Sequence, residues 1–149
     1  MGQITTSRTI AAPPERVFAA IADIESFVEI NPNITKVEFH SEQRSGVGTR
    51  FRETRLMRAK EASSVLEVTE YVPHEHVRIL SDEGGAVWDT VMSIAPHGEG
   101  GSELTMRMED RPHTLGARLV VPMIRGMIAK AVAEDMDRVK VWCGAEEGA

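Results

Sequence analysis

The sequence predicts a single α+β domain, in which an antiparallel sheet is combined with one long helix at the end of the chain. Three observations support this prediction. The 149 residues are enough for one hydrophobic core that needs no disulfide or metal. Between residues 34 and 108, short β-type segments alternate with turns rich in glycine and proline, as in an antiparallel meander. From Met123 to Trp142, apolar residues recur every three or four positions, which is typical of an amphipathic helix.

The N-terminal part of the chain predicts a strand followed by two short helices. In residues 3–10, Ile4 and Ile10 would lie on the same face of a strand, and several threonines are present. This pattern favours a half-buried strand. Pro14 then fits the first turn of a helix, because its missing N–H would have no partner inside that turn. Asp23 can cap a second helix that ends near Ile30, since Pro32 disfavours its continuation.

Six further strands are predicted before the final helix. They are a segment from Ile34 around Val37 and Phe39, then Thr49–Arg58, Ser63–Tyr71, Val77–Leu80, Ala86–Ala95 and Glu103–Met108. Glycine and proline in the intervening turns end the strands and let the backbone reverse. The order of elements is therefore one strand, two short helices, six strands and one long helix, which is an α+β arrangement.

The strand at residues 49–58 carries charge on both of its faces. One face holds Phe51, Glu53, Arg55 and Met57, and the other holds Arg50, Arg52, Thr54 and Leu56. Either orientation places polar groups inside, where a carboxylate or guanidinium must be paired or hydrogen-bonded. The sequence leaves the orientation open, and an ion pair on the surface is the alternative for Glu53 and Arg55.

The orientation of the strand at residues 86–95 is also open. We favour Trp88 facing inward, because its face of the strand has the larger apolar content, and Asp89 is then outside and without a role. In the opposite orientation, Val87, Asp89 and Val91 line the interior. In the final strand, Arg107 and Glu109 face solvent. The opposite, inward face holds Leu104, Met106, Met108 and, at the mouth of the interior, Asp110.

The final helix has an apolar stripe on one side and charge on the other. The stripe contains Ile124, Met127, Ile128, Ala131, Val132, Met136, Val139 and Trp142. The charged side contains Arg125, Lys130, Glu134, Asp137, Arg138 and Lys140. Pro122 should break or kink the segment, so we expect residues 113–121 to form a separate helical turn or lid.

Four local sequences and the order of elements point to a known superfamily. The sequences are Ile10–Phe18, Ala22–Asp23, Gly46–Thr49 and Glu67–Pro73, and the terminal amphipathic helix completes the pattern. Together they resemble the helix-grip or START-like superfamily, also called SRPBCC, and in particular its polyketide cyclase/dehydrase-like branch. The resemblance implies a helix-grip fold, with a curved seven-stranded antiparallel sheet wrapped around the long C-terminal helix. It also implies two short helices between strands 1 and 2, and a cavity beneath the final helix.

The first functional hypothesis is binding of a small hydrophobic molecule, similar to a lipid, a sterol or an aromatic polyketide, in that cavity. Pockets of this kind combine apolar walls with a few polar anchors. The expected lining residues are Phe51, Leu66, Trp88, Met92, Met106, Met108, Met127 and Ile128. Glu53 and Arg55 would orient a polar group of the ligand.

Two further hypotheses use the same fold differently, since the superfamily includes carriers, cyclases and chaperone activators and its fold selects no single function. In a cyclase or dehydratase, a buried Glu53 with raised pKa would be the general base for an acidic C–H, and Arg55 would stabilise the enolate. No cofactor is expected. An interaction module, such as a chaperone activator or a ubiquinone-handling protein, would instead carry an exposed apolar patch.

Composition limits the remaining classes of function. The net charge of −6 argues against a nucleic-acid partner, which would require an excess of lysine and arginine to neutralise phosphates. The apolar stretch at residues 119–124 is far shorter than a membrane span, and the N-terminus lacks the pattern of a signal peptide. With Cys143 as the single cysteine, the chain forms no internal disulfide, and we expect a cytoplasmic location.

The sequence offers no metal site and no common catalytic motif. His74 and His76 are two residues apart in a predicted turn, and two ligands are fewer than the three or four that zinc requires. A homodimer is compatible with the sequence and is not specified by it.

Overall fold

The computed structural model describes residues 2–57 and 59–147, with side chains as far as residue 144. Within these ranges it contains seven strands and three helices. The strands are β1 (Gly2–Ile10), β2 (Ile34–Phe39), β3 (Arg50–Met57), β4 (Lys60–Val72), β5 (His76–Glu83), β6 (Ala86–His97) and β7 (Gly101–Pro112). The helices are α1 (Pro14–Ala22), α2 (Ile24–Ile30) and α3 (Leu115–Glu147).

The strands form one curved antiparallel sheet in the order β1-β7-β6-β5-β4-β3-β2. β1 pairs with β7, so the first and last strands are neighbours, and β2 forms the opposite edge. α1 and α2 connect these two distant strands. The predicted α+β helix-grip fold, including the two short helices between the first and second strands, is confirmed.

The turn between β5 and β6 fixes the register of the strands that follow it. Gly84 and Gly85 both have positive φ, 63° and 84°, as two-residue hairpin turns of this kind require. Glu83 pairs directly with Ala86 on the other side of the turn. The hairpin therefore sets which residues of β6 face inward.

α3 lies across the inner side of the sheet, where it contacts β1, β7 and α1. The side chains that it buries in the main core are Val132, Met136, Val139 and Cys143. The sheet contributes, among others, Ile10, Phe51, Val68, Val77, Met92, Leu104 and Met106 to the same core. The helical periodicity of the sequence therefore identified the buried side of α3 correctly.

α3 continues through Pro122 as one helix, so the prediction of a separate helical turn before it is wrong. Proline removes one backbone hydrogen bond and crowds the preceding turn. Ala117 and Val121 precede it and are buried with Ala86 of β6, and Trp88 packs against them. We attribute the continuity of the helix to this apolar contact, which stabilises the two turns before the proline.

β6 turns Trp88 inward and Asp89 outward, as predicted, but Asp89 is not without a role. Its carboxylate is buried and accepts hydrogen bonds of 2.9 and 2.6 Å from Arg78 and of 3.2 Å from Arg111. These hydrogen bonds, above all those from Arg78, lower the pKa of Asp89. The prediction was wrong because alternation along one strand does not show the arginines that β5 and β7 place beside it.

Candidate functional site

β3 turns Glu53 and Arg55 towards α3, which resolves the orientation that the sequence left open. Phe51 is buried in the main core, and strand alternation puts the two charged residues on the same face. Their side chains are only 18% and 16% exposed. Glu53 and Arg55 therefore do not form a surface ion pair.

Asp135 of α3 is the main partner of Arg55. Nη1 of Arg55 donates a hydrogen bond of 2.8 Å to Oδ2 of Asp135, and Nε of Arg55 lies 3.8 Å from Oε2 of Glu53. Arg138 approaches the other carboxylate oxygen of Asp135, with Nη1 3.7 Å from Oδ1. We call these four residues the charged cluster. In it, one guanidinium contacts two carboxylates across the strand–helix interface.

Burial raises the pKa of both carboxyl groups in the charged cluster. For Glu53, burial raises the pKa above its ordinary value of 4.5, Arg55 offsets part of this effect, and the negative charge of Asp135 adds to it. For Asp135, burial also dominates, against the attraction of Arg55 and its hydrogen bond. A carboxyl group with a raised pKa exchanges its proton closer to neutral pH, which suits a general acid or base.

The hydrogen bonding of the charged cluster is also incomplete. Oδ1 of Asp135 and Nη1 of Arg138 are buried and make no hydrogen bond with any described residue. Buried polar atoms are normally paired, because an unpaired one loses the hydrogen bonds that it made with water. These two atoms face each other at 3.7 Å, so this acceptor and this donor are engaged only in a long ion pair and not in a hydrogen bond.

A pocket of about 170 Å³ lies between β3 and α3. Its lining residues are Asn33, Arg55, Leu56, Met57, Met127, Lys130, Ala131 and Glu134. Arg55 is common to the pocket and to the charged cluster. The pocket thus combines apolar walls with one guanidinium whose position is fixed by its hydrogen bond to Asp135.

The residues that the sequence predicted as cavity lining lie in three places. Met127 lines the pocket, and Trp88 packs against the small cluster that includes Ala117. Three of them are buried in the main core: Phe51, Met92 and Met106. Three more pack against that core: Leu66, Met108 and Ile128. Of the two predicted catalytic residues, Arg55 lines the pocket, and Glu53 belongs to the charged cluster but does not line the pocket.

Asp135 is the partner of Arg55 that the sequence interpretation missed. It is 5% exposed and lies between the buried residues Val132 and Val139, at positions that share the apolar stripe of the helix. A signal for it was present, because a carboxylate at a buried helical position must be paired. The partner is not visible in the sequence, since Arg55 lies on a distant strand.

A second acid–arginine contact joins α3 to β7. Asp110 is 1% exposed and accepts hydrogen bonds of 2.9 Å from both Nε and Nη2 of Arg125. The backbone N–H of Gly2 donates a third, of 3.1 Å. The hydrogen bonds from Arg125 are the main reason why the pKa of Asp110 is lowered. We call these three residues the β7 clamp.

The β7 clamp corrects one sequence assignment and agrees with another. Arg125 was placed on the solvent-facing, charged side of the final helix, but its side chain is 27% exposed and reaches the sheet. That assignment was wrong because arginine is long enough to reach a buried carboxylate from the flank of a helix. Asp110 shares the inner face with Leu104 and Met106, as expected, while Arg107 and Glu109 are exposed.

The described residues contain no group of three or more histidine, cysteine, aspartate or glutamate side chains that could hold a metal ion. His76 instead makes a hydrogen bond of 3.0 Å with Glu70, and the ring of His74 packs edge-on against Phe18. Among the helices in the described part of the chain, none has the length and apolar character needed to cross a membrane.

A family model described as "Polyketide cyclase / dehydrase and lipid transport" matches residues 1–141. The chain belongs to this family. No match is found among curated protein sequences.

Solved structures share the fold of this family member at low sequence identity. TTHA0849 from Thermus thermophilus aligns with a TM-score of 0.76 and 20% identity over 93% of this chain and 94% of that one. A Thalictrum norcoclaurine synthase point mutant, in complex with a transition-state analogue, aligns with a TM-score of 0.72 and 15% identity over 99% and 96%. The di-domain ARO/CYC protein BexL aligns with a TM-score of 0.77 and 12% identity over 98% of this chain and 47% of that one. At these identities the likeness shows the fold alone.

Proposed function

We propose that this protein binds a small hydrophobic molecule, whose apolar part enters the pocket between β3 and α3 and whose polar group contacts Arg55. The pocket is the observation that carries the proposal, because Leu56, Met57 and Met127 give it an apolar wall beside one fixed donor. This combination is typical of ligand sites. The family description, which includes cyclases, dehydrases and lipid transport, supports a ligand of this class.

The volume of the pocket limits the part of the ligand that it holds. An apolar cavity of about 150 Å³ in another protein binds benzene, whereas pockets for whole drug-sized ligands measure about 300–1,000 Å³. At about 170 Å³, the pocket matches one ring or a short acyl segment. The remainder of a lipid, sterol or polyketide would extend past Leu56, which is 42% exposed.

Arg55 is suited to hold the polar group of the ligand. A guanidinium has five N–H donors, and Asp135 accepts one of them, from Nη1. The others can donate to a carbonyl, hydroxyl or carboxylate at the pocket. The hydrogen bond to Asp135 restricts the side chain before the ligand arrives, which lowers the entropy lost on binding.

Thermal unfolding with a panel of small ring and acyl compounds tests this proposal. We would use 2-naphthol, 2-naphthoate, 2-tetralone and octanoate. A ligand that binds only the folded state stabilises it by about 2.7 kcal/mol at one hundred times its dissociation constant, so at least one compound should raise the melting temperature. Failure of every compound to do so would contradict the proposal.

Filling the pocket provides the matched control. Ala131 lines the pocket, and Ala131→Leu should abolish the thermal shift because the added side chain occupies the volume of the ligand. Ala129→Leu adds the same atoms to the same helix at a position that does not line the pocket, and it should leave the shift unchanged. An Ala131→Leu variant with a normal shift would place binding elsewhere.

A second candidate function, proton abstraction from an acidic C–H, is favoured by the raised pKa of Glu53. Arg55 lines the pocket and Glu53 does not, so this reaction requires the C–H to approach Glu53 alongside the Arg55 side chain. Glu53 would then take the proton, the electron pair of the C–H bond would move into an enolate, and Arg55 would stabilise the enolate oxygen. No cofactor is needed for this step. Acid–base catalysis of this kind contributes about 10²–10⁴-fold to a rate.

Exchange of the α-protons of 2-tetralone in D₂O, followed by NMR, tests the enzyme candidate. The wild type should accelerate exchange over buffer, and Glu53→Gln should remove the acceleration while the thermal shift with the same ketone persists. Equal exchange rates in the wild type and Glu53→Gln would rule out Glu53 as the base. The thermal shift thus separates failure of catalysis from failure of binding.

A cytoplasmic location, the absence of a nucleic-acid partner and a homodimer stay predictions from the sequence. Size-exclusion chromatography with light scattering, which measures the molar mass in solution, would test the homodimer at two protein concentrations.

A further inference from the structure

The first turns of α3 expose an unusual number of large apolar side chains. Leu115, Leu119, Val120 and Met123 are between 50% and 81% exposed. Single exposed apolar residues are common on proteins, but several on neighbouring turns form a patch of the kind that binds another surface. We call these four residues the α3 apolar face. An exposed patch is also what the interaction-module hypothesis predicted.

The fold holds the α3 apolar face outward. Ala117 and Val121 lie on the same turns and are buried with Ala86, against which Trp88 also packs. One side of this part of the helix is therefore attached to the sheet, and the opposite side carries the apolar face. The exposure of these side chains follows from helix packing.

The stretch of sequence that carries the α3 apolar face has a charge opposite to that of the whole chain. Residues 111–133 contain three arginines, one lysine and no aspartate or glutamate, in a chain with a net charge of −6. Arg111 and Arg125 are paired with carboxylates. Arg118 and Lys130 are exposed, and their side chains make no hydrogen bond or ion pair with a described residue.

We propose that the α3 apolar face docks onto the surface of an anionic lipid bilayer. The four apolar side chains would enter the boundary between headgroups and acyl chains, and Arg118 and Lys130 would lie near lipid phosphates. The first turns of α3, residues 115–123, would lie on the membrane surface, and the second half of the helix, where Glu134 and Asp137 are exposed, would stay away from it.

A second copy of the chain fits this surface less well. In a two-fold symmetric dimer the same patch meets itself, so Arg118 of each copy would approach a surface of like charge. An anionic bilayer has the opposite charge and attracts juxtaposed lysine and arginine. The charge distribution therefore favours the membrane over self-association.

The α3 apolar face also continues towards the pocket. Met127 lies one helical turn after Met123 and lines the pocket, together with the exposed Lys130. Docking would bring the mouth of the pocket close to the acyl chains of the bilayer. Membrane docking goes beyond the proposed ligand site and does not depend on it, because the contact with vesicles requires no bound ligand.

Co-sedimentation of the full chain with vesicles tests the proposal. The vesicles would contain about one part phosphatidylglycerol to two parts phosphatidylcholine, and pure phosphatidylcholine vesicles would be the comparison. We expect the wild type to bind the anionic vesicles more strongly than the neutral ones, and high salt to weaken the binding because salt screens the charges. Wild type that stays in the supernatant with anionic vesicles at low salt would overturn the proposal.

Variants on and away from the α3 apolar face make the test specific. Leu119→Ser with Met123→Ser should weaken binding at least about tenfold, because two apolar side chains are lost from the contact. Arg118→Gln should weaken it about fivefold. Val47→Ser removes an exposed apolar side chain from a loop outside α3, where it is 58% exposed, and should bind as the wild type does.

Two outcomes of the variant series would count against the membrane. Vesicle binding that is the same in the Leu119→Ser/Met123→Ser variant as in the wild type would overturn the proposal. A wild-type dimer that this double variant dissociates, without vesicle binding by either protein, would assign the face to self-association. Because the substituted residues are exposed, all variants should retain the melting temperature of the wild type within a few degrees.

Discussion

The charged cluster and the β7 clamp, two of the acid–arginine contacts that join α3 to the sheet, differ in how completely their carboxylates are hydrogen-bonded. In the β7 clamp, Asp110 accepts three hydrogen bonds and its pKa is lowered. In the charged cluster, Glu53 and Asp135 share the guanidinium of Arg55, and burial raises the pKa of both. The same residue types therefore show opposite shifts, because hydrogen bonds outweigh desolvation in the clamp and desolvation dominates in the cluster.

The difference separates a structural contact from a candidate functional one. A carboxylate with all its acceptors engaged stays ionised and keeps its geometry, as in the β7 clamp. A buried carboxylate with too few partners can change its protonation state, and groups with such perturbed pKa values concentrate at functional sites. This contrast predicts that the clamp contributes more to stability, and the following three variants test it in order of decreasing effect.

Asp110→Ala should cause the largest loss of stability. The substitution leaves the guanidinium of Arg125 and the N–H of Gly2 without their acceptor, and breaking a buried pair typically costs about 3–5 kcal/mol. Because the side chain of Arg125 is 27% exposed and can regain water, we expect about 2–3 kcal/mol. Urea unfolding measures this change as a lower midpoint with an unchanged slope.

Asp137→Ala is the matched control for the clamp. Asp137 also lies on α3 and accepts a hydrogen bond of 2.6 Å from Arg8, but its side chain is 61% exposed. Its loss should change the stability by no more than about 0.5 kcal/mol. If Asp110→Ala were no more destabilising than Asp137→Ala, the clamp would not be a structural contact.

Arg55→Met should be the second largest change, with a loss of about 1–2 kcal/mol at about pH 8. It leaves the carboxylates of Glu53 and Asp135 buried without their common partner. The loss should be smaller at about pH 5, since a protonated carboxyl group needs no counter-charge. Arg52→Met, at an exposed position on the same strand, is the control and should be close to neutral. A loss that does not depend on pH would contradict the assignment of raised pKa values.

Glu53→Gln should have the smallest effect and the opposite sign. The pKa of Glu53 is raised on folding, so the folded state holds this proton more tightly than the unfolded chain does. The wild type is therefore destabilised as the pH rises from the ordinary value of 4.5 through the raised pKa, because the buried carboxyl group must then ionise. Glutamine does not ionise, so the variant should be more stable than the wild type at about pH 8, by up to about 1 kcal/mol.

The pH dependence of the same variant separates the cluster from the clamp. At about pH 4, Glu53→Gln should match the wild type, because glutamate is then protonated as well. Asp110 behaves in the opposite way: its contribution is present above its ordinary value of 3.8 and is lost as the pH falls through its lowered pKa. A Glu53→Gln variant that is less stable than the wild type at about pH 8 would show that Glu53 is stabilising when ionised.

The sequence by itself determined the order of elements, the fold and most of the buried faces. Periodicity identified the stripe of α3 around Val132, Met136 and Val139, and it placed Trp88 and Asp110 on the inner side of the sheet. These features are local: the face of a residue depends on the repeat of its own helix or strand. Local repeats can be read from a chain without knowing what packs against it.

Only the tertiary structure decided which charged groups meet and where space remains. Arg55 and Asp135 are 80 residues apart in the chain, and no repeat relates a strand to a distant helix. The reach of Arg125 to Asp110 and the continuity of α3 through Pro122 likewise depend on how the helix lies against the sheet. The pocket beside Met127 is a property of the gap between two elements, and the volume of a gap is set by packing, which no single segment of sequence contains.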